Sequence, residues 1–81
     1  MMGTMTDTLE RVIRVTAEVL KVNVGKVQKD SRFVEDLGAE SVQSIELVAA
    51  YEEEFGIEMD EDQALAVKSV GDAARFIDRV R

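Results

Sequence analysis

The spacing of apolar residues divides the chain into four predicted helices. Apolar side chains recur every three or four residues over residues 6–21, 41–55 and 70–80, which is the period of one helix face. A shorter segment, residues 60–66, begins at Asp60, an expected N-cap. Gly56 follows the second helix and is expected to end it in the left-handed conformation. The pattern predicts an all-α fold, a four-helix bundle with a short third helix.

Residues 22–39 break this pattern and predict a long loop between the first and second helices. One helical turn is expected at residues 33–37. Four isolated apolar residues are expected to hold the loop against the core: Val24, Val27, Phe33 and Leu37. A loop this long in a small domain is uncommon and is usually functional.

Composition narrows the class of protein. The 81 residues predict one domain, residues 1–81, with residues 1–5 disordered. The chain has no cysteine and no histidine, which removes disulfides, thiolate metal ligands and the commonest general base. We therefore expect a non-catalytic protein without a metal site. No apolar run approaches the ~20 residues that cross a bilayer, and we expect a cytoplasmic monomer that does not bind membranes.

The acidic charge is concentrated in one segment. Residues 40–62 contain nine Asp and Glu residues and no Lys or Arg, whereas residues 1–39 are balanced and residues 63–81 are slightly basic. The net charge of −7 therefore comes from this segment. Such a block repels nucleic acid and attracts basic protein surfaces, although a solvated helix face has the same composition.

The second predicted helix has two apolar stripes on nearly opposite sides. The first is a normal core stripe and comprises Leu47, Val48, Tyr51 and Phe55. The second comprises Val42, Ile45 and Ala49 and is flanked by Glu46 and Glu53. Either this helix is enclosed on both sides or the second stripe is a docking surface, and the neighbouring charges favour docking.

Ser41 is the first residue of this helix. A serine there is usually a helix cap, and that role remains open from position alone. A nucleophilic serine would need a nearby base, which a chain without histidine does not obviously offer. The other possibility is a substrate role, because the positive end of a helix favours a phosphate attached there.

Three stretches of the sequence resemble the acyl carrier proteins of dissociated fatty acid synthases. They are Phe-Val-Glu-Asp-Leu-Gly-Ala-Glu-Ser-Val at residues 33–42, Ile-Glu-Leu-Val at residues 45–48 and Glu-Glu-Glu-Phe at residues 52–55. The resemblance extends from about residue 6 to residue 77 without an obvious insertion. It is specific because the Asp-Leu-Gly-Ala-acid-Ser core opens a helix after a long loop.

The resemblance implies a carrier of acyl groups. A phosphopantetheinyl transferase would join 4'-phosphopantetheine from coenzyme A to Ser41, and the terminal thiol of this arm would hold acyl chains as thioesters. Acyl-processing enzymes with basic surfaces would dock on the second stripe and its flanks: Glu40, Val42, Ile45, Glu46, Ala49 and Glu53. Between the helices, an acyl-chain cavity would be lined by Leu47, Tyr51, Phe55, Ala64 and Ala73.

Some residues depart from the usual pattern of that family. Glu40 and Val42 flank the serine in place of the commoner Asp and Leu, Ala49 replaces a methionine, and Tyr51 stands at a usually aliphatic position. These departures leave open fatty acid biosynthesis and a specialised lipid or polyketide pathway. Two further alternatives are an acidic interaction module without the prosthetic group and a peptidyl or aminoacyl carrier.

Overall fold

The computed structural model describes the backbone of residues 4–80 and the side chains of residues 7–80. It contains four helices, α1 (Thr4–Leu20), α2 (Ser41–Phe55), α3 (Glu61–Leu65) and α4 (Val70–Val80), and a short 3₁₀ helix (Val24–Lys26). Residues 4–80 form no strand, only an isolated antiparallel bridge between Arg32 and Ser69. The predicted four-helix bundle with a short third helix and a long first loop is confirmed.

The helix boundaries lie close to the predicted ones. Of the five N-terminal residues expected to be disordered, residues 1–3 lie outside the described range, and α1 begins at Thr4 rather than near residue 6. The helix α2 has its predicted limits and ends at Gly56, which has a φ of 64°. The N-cap prediction for Asp60 is confirmed, because its carboxylate accepts hydrogen bonds from the N–H groups of Asp62 and Gln63.

The long loop follows the prediction only in part. Val27 and Phe33 are buried and Leu37 is partly buried, but Val24 is 54% exposed, so its predicted anchoring role is wrong. Val24 belongs instead to the unpredicted 3₁₀ helix, whose start is capped by the Asn23 side chain. The turn expected at residues 33–37 forms through hydrogen bonds such as Asp36 N–H to the Arg32 carbonyl, at 3.0 Å.

Backbone hydrogen bonds hold the loop against the connection between α3 and α4. Phe33 N–H donates to the Lys68 carbonyl at 3.0 Å, and Gly71 N–H donates to the Lys29 carbonyl at 2.8 Å. A Cβ atom at residue 71 would lie 3.1 Å from that Lys29 oxygen, so the close approach favours glycine. The loop is thereby fixed beside α2 and α3, where its residues 32–35 form one wall of the cavity described below.

The core lies around α1, which packs against both α2 and α4. Because two helices cover it, α1 buries a broad face that includes Val12, Thr16 and Leu20. Two of its buried residues are polar, and both bond to neighbouring helices. Thr8 donates to the Asp78 carboxylate of α4 at 2.6 Å, and the Thr16 hydroxyl lies 2.5 Å from the Tyr51 hydroxyl of α2.

Arg11 of α1 fastens the C-terminal end of α2. Its Nε lies 2.9 Å from a Glu54 carboxylate oxygen, and a terminal nitrogen donates to the Glu54 backbone carbonyl at 2.8 Å. The guanidinium carbon lies 4.4 Å from the centre of the Phe55 ring. A helix leaves its last carbonyls without intrahelical partners, and a cation there also complements the helix dipole. Arg11 therefore offsets part of the charge of the acidic segment.

We expect Arg11→Met to lower the free energy of unfolding by about 1 to 2 kcal/mol, because it removes charge-assisted hydrogen bonds and leaves the Glu54 carbonyl without this partner. Urea denaturation followed by circular dichroism measures this change. Arg14→Met is the matched control, since the exposed Arg14 reaches Glu54 only at 3.4 Å. Its expected cost is under about 0.5 kcal/mol. Equal losses in the two variants would contradict the role assigned to Arg11.

Candidate functional site

Ser41 lies exposed at the start of α2 and does not cap it. The N-cap is Glu40, whose extended backbone (φ −92°, ψ 167°) precedes the helix. Gln43 completes the capping, because its side-chain oxygen accepts the Glu40 N–H at 2.9 Å. Among the described residues, none forms a hydrogen bond with the Ser41 hydroxyl. The cap alternative left open by the sequence is therefore wrong, and the hydroxyl is available to solvent.

The turn before Ser41 is closed by Asp36. Its carboxylate accepts the Arg32 backbone N–H at 2.8 Å and lies 3.5 Å from the Arg32 Nε. The hydrogen bond from the Arg32 backbone N–H holds the pKa of the Asp36 carboxyl below its ordinary value. Asp36 thus stays ionised at neutral pH and keeps the turn closed.

Three residues then direct the chain outward. Leu37 packs against the core, and Ala39 is buried with its N–H bonded to the Phe33 carbonyl at 2.9 Å. Between them Gly38 has a φ of 72°, a conformation that residues with a side chain rarely adopt. Because two anchored residues flank a left-handed one, the chain leaves the core at Glu40, and Ser41 begins α2 at the surface.

The first turn of α2 is suited to an attached phosphate. The first backbone hydrogen bond that continues into the helix is from Ser44 N–H to the Glu40 carbonyl, at 2.9 Å. Helix geometry leaves the N–H groups of residues 41–43 without intrahelical partners; the Glu40 side chain accepts the one of Gln43, and those of residues 41 and 42 create a positive potential at this end. A phosphate on the Ser41 oxygen would lie in that potential. The exposed hydroxyl and the open helix end fit a phosphodiester-linked group.

The second stripe of α2 (Val42, Ile45 and Ala49), from here on the outer stripe, is open to solvent. Val42 is 59% exposed and Ile45 is 51% exposed. The other predicted docking residues, Glu40, Glu46, Ala49 and Glu53, are exposed as well. On the opposite stripe Leu47 and Tyr51 are buried. The alternative in which α2 is enclosed on both sides is therefore wrong, and an unpartnered apolar stripe with acidic flanks remains.

A cavity of about 490 Å³ lies beside the first stripe of α2 (Leu47, Val48, Tyr51 and Phe55), from here on the inner stripe. Four of the five predicted residues line it: Leu47, Tyr51, Ala64 and Ala73. Phe55 was also predicted there but is not among the lining residues, because its ring packs under Arg11 where α1 meets the end of α2. Further apolar residues that were not predicted there also line the cavity: Phe33, Val34, Val48, Met59, Leu65, Val67 and Phe76. Several of these come from loops, where no helical period marks the inward side.

Ser44, the acidic Glu35 and two cationic residues also line the cavity. Ser44 lies three residues after Ser41 on α2, so the cavity begins within one helical turn of the exposed hydroxyl. Arg32 and Lys68 lie on the loop side, and both are exposed. The cavity is thus apolar inside, with polar groups among the residues nearest to solvent.

Among the described residues that line the cavity, Tyr51 is the one that is buried and has a polar group. It is 3% exposed, and its hydroxyl lies 2.5 Å from the Thr16 hydroxyl. Burial raises the pKa of the Tyr51 phenol far above its ordinary value, so the hydroxyl stays protonated. A buried hydroxyl requires a hydrogen-bond partner, and Thr16 is the partner of Tyr51.

In the part of the chain that the structure describes, no three carboxylates lie close enough together to hold a metal ion. In the same part, no helix is long and apolar enough to cross a membrane.

The chain matches a known protein family over most of its length. A family model described as "Phosphopantetheine attachment site" matches residues 10–77, which is most of the chain and includes the α2 start. Domains of this family are the sites where 4'-phosphopantetheine is attached covalently, and the exposed hydroxyl at the open end of α2 fits such a group. The chain therefore belongs to the phosphopantetheine-attachment family of acyl and peptidyl carrier proteins.

Proposed function

We propose that this protein is an acyl carrier protein whose 4'-phosphopantetheine arm is attached to the Ser41 oxygen. The observation that carries this proposal is the Ser41 hydroxyl itself, exposed at the first position of α2 and free of hydrogen bonds within the described part of the chain. It stands after a turn that Asp36 and Gly38 build. A serine that merely stabilised the helix would be engaged in capping.

In this role Ser41 is a substrate and not a catalyst. The chain contains no histidine to take the serine proton, so a phosphopantetheinyl transferase supplies the base and binds coenzyme A with Mg²⁺. The serine oxygen becomes bonded to phosphorus while the diphosphate bond of coenzyme A breaks and the nucleotide half leaves. The arm, when bound, supplies the thiol that the cysteine-free chain lacks and that holds acyl groups as thioesters.

The outer stripe of α2 is the proposed docking surface for the transferase and for acyl-processing enzymes. Two exposed aliphatic residues, Val42 and Ile45, lie near the exposed carboxylates of Glu46 and Glu53 on the outer side of α2. No ion pair of the described residues engages either of these carboxylates. They are therefore free to attract basic partner surfaces, which raises encounter rates more than final affinity.

The cavity is the proposed site for the acyl chain. Its residues beside α2 begin at Ser44, one turn from the attachment serine, and its lining is mainly apolar. An apolar cavity with an acidic α2 beside it favours an acyl cargo over an aminoacyl or peptidyl one. The pathway that this cargo serves is fatty acid biosynthesis or a specialised lipid or polyketide pathway. We further propose a cytoplasmic monomer.

Incubation of the apo protein with coenzyme A, Mg²⁺ and a broad-specificity transferase tests the attachment site. We expect the mass to rise by one phosphopantetheinyl group in the wild type and to stay constant in Ser41→Ala, because only this serine starts α2. Ser69→Ala, which changes a serine at the start of α4 instead, is expected to accept the group. Intact-mass spectrometry reads each result, and circular dichroism verifies folding. A modified Ser41→Ala variant, or an unmodified wild type, would contradict the proposal.

The docking surface is tested by the double variant Glu46→Lys, Glu53→Lys. We expect transferase action to slow on the order of tenfold at low ionic strength, with a smaller effect at high salt, because screening weakens the attraction. Stability should change little, since both positions are exposed. Stopped assays with mass detection over a range of salt concentrations measure the rates.

The matched control is Glu10→Lys, Glu18→Lys, which produces the same change in net charge on exposed positions of α1. If the rate falls equally in both double variants, only the total charge matters and α2 is not the docking surface.

A further inference from the structure

Tyr51 separates the cavity from α1. The residues that line the cavity come from α2, α3, α4 and the loops, and none of them belongs to the described part of α1. Tyr51 is one of these lining residues, yet its hydroxyl bonds to Thr16 of α1 at 2.5 Å. Its ring therefore spans the layer between the cavity and α1.

Tyr51 also lies at the end of the cavity away from Ser41. Along α2 the lining runs from Ser44 to Tyr51 and includes no later residue of this helix. Seven residues correspond to about 10 Å along the helix axis. A chain that enters near Ser44 and follows α2 therefore meets the Tyr51 ring at its far end.

The hydrogen bond makes this wall difficult to move. Tyr51 is 3% exposed and Thr16 is fully buried, and no buried side-chain nitrogen or oxygen within the described residues lacks a partner. Rotating the ring away would leave two buried hydroxyl groups unsatisfied, which is unfavourable in an apolar core. A leucine or methionine in the same place could change rotamer without such a penalty.

Behind the ring lies the contact of α1 with α2. Val12, one turn before Thr16 on the same face of α1, is fully buried. A smaller side chain at position 51 would extend the cavity towards Thr16, which the Tyr51 hydroxyl contacts. The ring is consequently the element that closes the cavity at this end.

We infer that Tyr51, held in place by Thr16, determines the length of acyl chain that the cavity accepts. The inference rests on the function proposed above. The terminal methyl group of a bound apolar chain packs against the Tyr51 ring, and additional methylene groups remain in water. The preferred cargo is an apolar acyl group short enough to end at this ring, in a cavity of about 490 Å³.

The test uses the protein loaded on its arm with a series of straight saturated acyl groups, from butyryl to palmitoyl in two-carbon steps. Each methylene that enters the cavity leaves water and stabilises the fold, so the melting temperature should rise with chain length until the chain reaches the ring. We expect a plateau in the wild type. In Tyr51→Leu the plateau should move to longer chains by at least one step of the series.

Tyr51→Phe is the matched control, because it keeps the ring and removes only the hydroxyl. Its plateau is expected at the wild-type length, because the ring is still present, although its melting temperature without cargo should be lower because the buried Thr16 hydroxyl loses its partner. A plateau at the same length in wild type and Tyr51→Leu would overturn the inference. So would a wild-type melting temperature that does not respond to chain length. In both cases arm attachment verified by mass would leave the carrier function standing, whereas failure of attachment would remove both proposals.

A second measurement needs no variant. In the wild-type protein loaded with the plateau-length chain, nuclear Overhauser effects from a ¹³C-labelled terminal methyl group should reach the Tyr51 ring protons and not the Thr16 methyl group. Contacts between the chain end and the Thr16 methyl group would show that the chain passes the ring, which would overturn the inference.

Discussion

The left-handed conformation of Gly38, between the core-anchored Leu37 and Ala39, determines how the chain enters α2. If the chain entered at another angle, the first turn of α2 and the Ser41 side chain would point in another direction. Asp36 supports this entry by accepting the Arg32 backbone N–H, and the hydrogen-bonded loop holds the whole segment against the α3–α4 connection. Both the exposure of Ser41 and the position of the cavity beside it depend on this arrangement.

The far end of α2 is constrained by a different interaction. Arg11 binds the Glu54 carboxylate and backbone carbonyl and covers the Phe55 ring, so α1 neutralises part of the acidic segment there. Glu52 is engaged as well, since its carboxylate accepts the Met59 N–H at 2.8 Å. The carboxylates of Glu52 and Glu54 thus have partners that stabilise the fold. Those of Glu46 and Glu53, beside the outer stripe, have no ion pair among the described residues. This division lets one helix serve both stability and recognition.

The sequence predicts well what depends on local periodicity. The limits of α2 and α4, the cap at Asp60 and the two stripes of α2 follow from the spacing of apolar and capping residues. It fails where contacts join distant segments. Phe55 belongs by period to the inner stripe, but Arg11, far away in the chain, draws its ring to the α1 side. The partner of Tyr51 could not be predicted either. Nothing in the local sequence marks Thr16 as a partner, and the contact exists only because α1 packs on α2.

The most direct test of the central claim is the mass of the intact protein purified from its native cell, followed by fragmentation that locates any added group. We expect one phosphopantetheine on Ser41, with an acyl group on its thiol in part of the population. The length of that acyl group also identifies the natural cargo. A chain that is entirely unmodified, or one that holds the arm on a residue other than Ser41, would contradict the proposed function.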